Sequence, residues 1–198
     1  MHMRPIYIVL GVLLIIAGFA LVREKGGPET SGIINATASM ATTTLSITSP
    51  AFGQGGRIPS KYTCDGERTL SPALAFSGVP EGTKTLALIM DDPDVPKAVR
   101  PEGVFDHWAL FNIPPTAAGI PEGGSLGVAG ANGAGNNAYT GPCPPPQYEP
   151  SEHRYIFTLY ALDAKLPLAA GVSKQDVLRA MEGHVIGKAE LIGKYKRI

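Results

Sequence analysis

Imidazole and carboxylate groups stand at the ends of candidate strands, and these side chains are the ones best able to do chemistry in this sequence. They are the acidic run 91–94 after the apolar segment 84–90, His107 in the segment 106–113, and His153 just before the segment 154–162. Because strand ends meet in loops at one edge of a sheet, we expect these groups to lie together. Such a group could bind an anion, act as acid and base, or ligate a metal.

Each of these side chains also has a simpler explanation. A lone histidine is often a partly buried side chain with its hydrogen bonds satisfied, and Asp-Pro-Asp is often a turn held by Asx hydrogen bonds. Metal-binding motifs with local spacing, such as H-x-H or H-E-x-x-H, do not occur, and neither does a G-x-S-x-G nucleophile elbow. A long-range zinc or iron site therefore stays the weaker alternative, and we expect no metal.

Two cysteines, Cys64 and Cys143, occur beside turn residues. An even pair in an apparently exported domain is consistent with a disulfide bond. Two buried free thiols are the alternative.

Composition and charge narrow the class of protein. The chain has 198 residues, with 17 Lys plus Arg against 17 Asp plus Glu, so its net charge is zero. A neutral chain of this length favours one domain and argues against a nucleic-acid partner or a polybasic membrane patch. Its 24 glycines and 18 prolines, with 44% apolar residues, exclude a coiled coil, a helical bundle and a wholly disordered chain.

An apolar leader precedes the folded part. Residues 5–22 carry no charge and, as a helix, would just cross a hydrocarbon core. We therefore predict that 1–22 is an uncleaved membrane anchor, with a cleaved signal peptide and a secreted protein as the alternative. Residues 23–43 read as a flexible tether with a glycosylation sequon at Asn35, and 44–198 as an extracytoplasmic domain.

The folded part reads as mostly β. The strands that hydrophobic patterning predicts are 45–48, 73–76, 84–90, 106–113 and 154–162. In 106–113, alternation places His107, Ala109, Phe111 and Ile113 on one face, with Trp108 and Leu110 on the other. One short helix begins after a Ser173 cap and ends at Gly183, and 187–195 could be strand or helix.

A long Gly- and Pro-rich loop, 114–150, separates two of the strands. Its glycine-rich half lacks the lysine and the strand–loop–helix context of a phosphate loop, so we reject that interpretation. Its second half, 139–146, is stiffened by proline. A loop of this length in a small domain is either functional or disordered.

The order and spacing of several motifs resemble those of the phosphatidylethanolamine-binding protein family, in its prokaryotic branch of Raf-kinase-inhibitor-like proteins. The motifs are SPAF (49–52), IPSKYTCDG (58–66), LSPAL (70–74), DDPDVP (91–96), HWALFNIP (107–114), YTGPCPPP (139–146), HRYIFTLYALD (153–163) and GHVIGKAELIGKYKR (183–197). The resemblance implies an antiparallel β-sandwich of Greek-key type. It also implies an anion pocket at one end that takes phosphate, carboxylate or phospholipid head groups.

The resemblance also assigns residues to that pocket. They are Asp92, His107, Gly141, Pro144, Pro145 and His153, with Tyr155 on the wall. Both imidazoles are expected to donate N–H bonds to the anion, and glycine at 141 is expected to let its backbone N–H approach the ligand. The prolines would hold the loop ready for binding.

Three functions follow as hypotheses. The first is a membrane-tethered binding module for a small anion or a head group such as phosphoethanolamine, with no cofactor and no catalytic residue. The second is an inhibitor that presents the loop 114–135 or 147–152 to a serine protease or another enzyme. The third is a hydrolase that uses Asp92 and the two histidines for acid–base or metal chemistry.

Overall fold

The computed structural model describes residues 44–197. The predicted anchor at 1–22, the tether at 23–43 and the Asn35 sequon lie outside the described residues. Within 44–197, no helix has the length and apolar character needed to cross a membrane.

Two antiparallel sheets make up most of the described chain. The smaller sheet has the order β1-β2-β5 and contains β1 (Ser46–Thr48), β2 (Leu74–Ser77) and β5 (Gly119–Ile120). The larger sheet has the order β6-β4-β3-β7-β8 and contains β3 (Thr85–Asp92), β4 (Phe105–Ile113), β6 (Val128–Ala129), β7 (His153–Leu162) and β8 (Val185–Tyr195). The segment 187–195, left open by its sequence, is therefore strand.

The larger sheet is covered on both faces. One apolar cluster joins its inner face to the smaller sheet, with Leu88 and Phe157 packed with Ile47 and Phe76. A second cluster covers the outer face, where Val177 of the helix packs among residues of β3 and β4. Strand β7, predicted at 154–162, lies between β3 and β8 and has residues in both apolar clusters, so it is an interior strand covered on both sides.

The predicted helix forms as α1 (Lys174–Met181). Ser173 caps it, because its hydroxyl accepts from the Asp176 N–H while the Asp176 carboxylate accepts from the Ser173 N–H. The helix ends just before Gly183, whose φ of 78° is the left-handed conformation that glycine adopts readily.

Strand β4 departs from simple alternation near its end. Ile113 packs in the inner cluster with Trp108 and Leu110, whereas Phe111 packs in the outer one, so the prediction that Ile113 shares a face with Phe111 is wrong. The cause is an irregularity at Asn112, which has a φ of 53° and adds one residue between the pairs Leu86–Ile113 and Leu88–Leu110. One extra residue turns every later side chain to the other face.

Candidate functional site

A small cavity lies where β3 ends and where β4 and β7 begin. Its volume is about 160 Å³. It is lined by Arg68, Asp92, Val95, Val99, Phe105, His107, Cys143, Pro144, Pro145 and His153. Five of the seven predicted pocket residues therefore lie here. Asp92, His107 and His153 meet because β3 is hydrogen-bonded to both β4 and β7, and Pro144 and Pro145 come from the loop that the Cys64–Cys143 bond attaches.

The acidic run 91–94 at the end of β3 divides its carboxylates among three partners. Asp92, which is 3% exposed, accepts a 2.7 Å hydrogen bond from His153 Nδ1. Asp94 accepts from both the backbone N–H and the guanidinium of Arg154, the next residue of β7. Asp91 lies against Lys174 of the helix, at 2.8 Å. The Asp-Pro-Asp turn thus fixes the start of β7 beside the cavity.

The surroundings of His153 favour the protonated form of its imidazole. Burial alone would lower the pKa of its imidazole, but the hydrogen bond and charge of Asp92, the charge of Asp94 and the nearby Pro150 carbonyl outweigh burial and raise that pKa above its usual value. Its second nitrogen, Nε2, is buried and has no hydrogen-bond partner within residues 44–197. The ring therefore brings an unused N–H donor, when protonated, to a cavity wall.

His107 is held in the opposite state. Its Nδ1 lies 2.5 Å from the carbonyl oxygen of Thr140, and a carbonyl can only accept, so Nδ1 carries the proton. Burial lowers the pKa of this ring to about 4, although the Thr140 carbonyl and the charge of Asp92 oppose that fall. At neutral pH its Nε2 is therefore an acceptor. In this state His107 Nε2 does not donate, whereas the sequence interpretation expected both imidazoles to donate to the ligand.

Asn132 positions the Thr140 segment that sets the state of His107. Its amide nitrogen donates to the Ala138 carbonyl at 2.7 Å and to the Thr140 hydroxyl at 2.8 Å. Its amide oxygen accepts from the backbone of Ala134 and Asn136. The Thr140 N–H in turn donates to the His107 carbonyl at 3.0 Å. No sequence motif pointed to Asn132, because its role depends on contacts made by the folded loop.

Arg68 is the cation that the sequence interpretation missed. It is exposed at the mouth of the cavity, and its guanidinium has no hydrogen-bond or ion-pair partner among the described residues. It lies between the CDG and LSPAL motifs, where a single arginine gives no spacing signal. Its charge also disfavours a second proton on His107.

Gly141 allows two chain segments to pack closely, and its N–H bonds to the backbone rather than to a ligand. Its N–H donates to the Arg68 carbonyl at 2.7 Å. A Cβ at this position would overlap the Tyr62 carbonyl oxygen, so only glycine permits this close approach of two chain segments. The expected contact between the Gly141 N–H and a ligand is therefore not available, and Gly141 does not line the cavity.

Tyr155 stands behind the cavity. Its ring meets the His107 ring edge-on, with centroids 5.1 Å apart. Its hydroxyl is buried without a hydrogen-bond partner. Burial and the nearby charge of Asp92 raise the pKa of that hydroxyl, so Tyr155 stays neutral and supports His107 from the side.

A disulfide joins Cys64 and Cys143, with Cα atoms 5.3 Å apart, which decides against free thiols. Cys143 itself contributes to the cavity, and Pro144 and Pro145 continue the same wall. The Cys64 N–H also donates to the Pro142 carbonyl at 3.0 Å. The cross-link therefore holds the proline-rich wall against the 58–68 segment that carries Arg68.

The remaining described histidine, His184, does not line this cavity. His184 pairs with Asp163 at 2.8 Å, and both side chains are about half exposed. Within residues 44–197, no three His, Cys, Asp or Glu side chains are grouped as a metal ion would need.

Known proteins are similar to this domain in sequence and in fold. The family model described as "Phosphatidylethanolamine-binding protein" matches residues 48–196. A UPF0098 protein of Methanothermobacter thermautotrophicus is 51% identical over 160 residues, covering 77% of this chain and 99% of that protein. A UPF0098 protein of Chlamydia muridarum is 46% identical over 154 residues, with the same coverage.

Solved structures agree. A proposed phosphatidylethanolamine-binding protein homologue from Chlamydia trachomatis has a TM-score of 0.74 and 44% identity, covering 79% of this chain and 99% of that one. The E. coli protein YbcL, described as a new member of the mammalian family, has a TM-score of 0.69 and 30% identity, covering 78% of this chain and 99% of that one.

Proposed function

Because this chain belongs to the phosphatidylethanolamine-binding protein family, we propose that its cavity binds a small oxyanion such as inorganic phosphate or a phosphorylated head group. The observation that carries the proposal is His153 Nε2, a buried nitrogen without a hydrogen-bond partner on a cavity wall. A buried donor left unpaired costs about 1–3 kcal/mol. A ligand oxygen would remove that cost.

Charge favours an anion in the same place. The pair of Asp92 and protonated His153 is neutral as a unit, so the guanidinium of Arg68 leaves the cavity with one uncompensated positive charge. Hydrogen bonds in which one partner is charged are about twice as strong as neutral ones. An oxyanion would accept from both cations at once.

Cavity size limits the ligand. A volume of about 160 Å³ is well below the roughly 300–1,000 Å³ of pockets for drug-sized molecules. The cavity suits an ion or a head group rather than a whole lipid. With the predicted anchor at 1–22, such a pocket would work close to a membrane surface.

A hydrolase is the second candidate, and the Asp92–His153 pair supports it. A buried carboxylate that holds His153 Nδ1 is the arrangement that orients an imidazole for acid–base catalysis. Assay of the protein with phosphomonoesters and carboxylic esters tests this candidate. Inhibition of an enzyme through the loops 114–135 or 147–152 stays a prediction, and a protease panel tests it.

The binding proposal is tested by calorimetric titration with inorganic phosphate at pH 6. We expect His153→Gln to weaken binding by tenfold or more, because it removes a charge-assisted donor. The matched control is His184→Gln, which removes the exposed imidazole of the other histidine–aspartate pair and should bind as the parent does. Equal binding by all three proteins would place the phosphate site elsewhere.

A further inference from the structure

The cavity presents hydrogen-bond acceptors as well as donors. Among its lining residues, Arg68 and protonated His153 can only donate. His107 instead offers the lone pair of Nε2, because its proton is fixed on Nδ1 by the Thr140 carbonyl. A fully deprotonated oxyanion would satisfy the donors and place a negatively charged oxygen against that lone pair.

We propose that this site selects an oxyanion that carries a proton, and therefore prefers a phosphomonoester monoanion to a sulfate or a phosphodiester. The proposal rests on the oxyanion function proposed above and assigns His107 as the residue that sets specificity. The P–OH group of the ligand donates to His107 Nε2, while its charged oxygens accept from His153 and Arg68. Sulfates and phosphodiesters have no such hydrogen on their oxygens at neutral pH.

The surroundings of His107 keep it an acceptor. Phe105 packs on its ring with centroids 4.7 Å apart, and Tyr155 meets it edge-on. The charges that face it are those of Asp92 and Asp106, which favour a second proton, and that of Arg68, which opposes one. Burial of the ring, which is 4% exposed, is the largest effect and also opposes a second proton.

His153 faces a different set of groups. Asp92 and Asp94 both favour its protonation, and the Pro150 carbonyl does the same. Because the second pKa of a phosphomonoester is about 6, ligand and His153 both carry their protons in mildly acidic solution. The two histidines therefore have different roles: His153 donates to a charged oxygen of the ligand, and His107 accepts from its P–OH group.

Methyl phosphate and methyl sulfate test the proposal cleanly. At pH 5.5 both carry about one negative charge and have the same shape, and they differ in the single proton that methyl phosphate bears. Calorimetric titration of the full chain should show methyl phosphate binding at least tenfold more tightly than methyl sulfate. Dimethyl phosphate, which models a phosphodiester head group, should bind as weakly as methyl sulfate.

The His107→Gln variant distinguishes selectivity from binding. A glutamine amide can rotate to present either its oxygen or its N–H, so the variant should lose most of the preference while still binding methyl phosphate. Equal binding of methyl phosphate and methyl sulfate by the parent overturns the selectivity alone. Absence of binding by all three anions overturns the proposed oxyanion function itself.

Two sources share the phosphomonoester group. A free phosphomonoester such as glycerol 3-phosphate binds from solution, whereas phosphatidic acid presents the same group on a membrane. Glycerol 3-phosphate is bound first, and phosphatidylcholine vesicles with or without phosphatidic acid are then added. Displacement of glycerol 3-phosphate only by vesicles with phosphatidic acid indicates that the site also takes the group from a membrane. No displacement by either vesicle indicates a ligand taken from solution.

Discussion

His107 and His153 illustrate how neighbours set the protonation of otherwise identical side chains. Deep burial keeps His107 neutral, with the Thr140 carbonyl fixing its proton on Nδ1, whereas a carboxylate at 2.7 Å favours protonation of His153. Groups with oppositely shifted pKa values in one cavity are typical of functional sites. The two shifts also have opposite consequences for stability.

The first prediction concerns stability in acid and His107. The unfolded chain takes up a proton on this ring near pH 6.5, but the folded chain does so only near pH 4. Folding stability contributed by the neutral ring is therefore present above pH 6.5 and is lost as the pH falls towards 4, by about 3 kcal/mol. Urea unfolding at pH 7 and pH 4 measures the free energy of unfolding that is lost in acid. This loss should be smaller in His107→Gln than in the parent protein, by about 3 kcal/mol. An unchanged loss would mean that the folded ring titrates normally.

The second prediction concerns Arg68. Replacing it with glutamine keeps a polar side chain at the cavity mouth but removes the unpaired charge. We expect Arg68→Gln to bind phosphate about tenfold more weakly and to lose part of the salt dependence of binding, because an exposed charge is screened by salt. The control is Arg179→Gln, an exposed arginine of the helix whose partner is Asp176. If Arg68→Gln matched this control, the anion would not reach the cavity mouth.

Much of the site could be predicted at the residue scale, but not how it works. The motifs around Asp92, His107 and His153 identified the residues that meet in the cavity. The donor or acceptor role of His107 depends on Thr140, which lies 33 residues away along the chain. Gly141 was assigned to the ligand, although a glycine in a motif signals only a close approach, here to Tyr62.

At the scale of elements, Asn112 shows how one residue sets the geometry of a strand. Its left-handed φ of 53° creates the irregularity that turns Ile113 inward. Its side chain also exchanges two hydrogen bonds with the backbone of Leu166, at 2.8 and 2.9 Å. Alternation in the sequence could not reveal this, because asparagine tolerates a left-handed φ but does not require one, and the partner Leu166 lies 54 residues away along the chain.

The third prediction separates the two roles of Asn112. Asn112→Ala loses both hydrogen bonds and places a Cβ in a left-handed conformation, so we expect a loss of about 2–4 kcal/mol in the free energy of unfolding. Asn112→Gly also loses the hydrogen bonds, but glycine adopts the left-handed conformation without strain. It should therefore be about 1 kcal/mol more stable than the alanine variant. Urea denaturation of both variants gives the difference. If alanine were tolerated as well as glycine, the strand would not need the left-handed residue.

At the scale of the whole molecule, one covalent bond joins distant parts of the chain around the cavity. Cys64 and Cys143 are 79 residues apart in sequence, and the disulfide closes the loop between them. The cysteine count suggested this bond, and the structure adds that the bond lies beside the site. The sheets themselves follow from apolar runs such as 84–90 and 154–162, which predicted the strands β3 and β7.

The fourth prediction is the effect of removing that bond. The Cys64→Ser/Cys143→Ser variant should lose about 4 kcal/mol of stability by the chain-entropy model. It should also bind phosphate more weakly, because the proline wall is no longer tied to the segment of Arg68. Thermal unfolding and phosphate titration, at a temperature where the variant is still folded, measure the two effects. If the folded variant bound phosphate as tightly as the parent, the disulfide would not contribute to phosphate binding.

The fifth prediction concerns the leader, which lies outside the described residues. The uncharged run 5–22 predicts that the full chain sediments with membranes and that a chain beginning at Thr44 stays in solution. Cell fractionation with N-terminal sequencing measures this. Mature protein that begins after about residue 22 and is free in solution would restore the signal peptide.

The central claim is that the cavity binds a phosphate through charged His153 and neutral His107, and nitrogen NMR of the two imidazoles tests it most directly. We expect added phosphate to keep both His153 nitrogens protonated to higher pH, because a bound anion stabilises the imidazolium. His107 should keep its single proton on Nδ1 throughout. The His153→Gln variant assigns the signals. A His153 titration that phosphate does not shift, or a His107 proton on Nε2, would contradict the account.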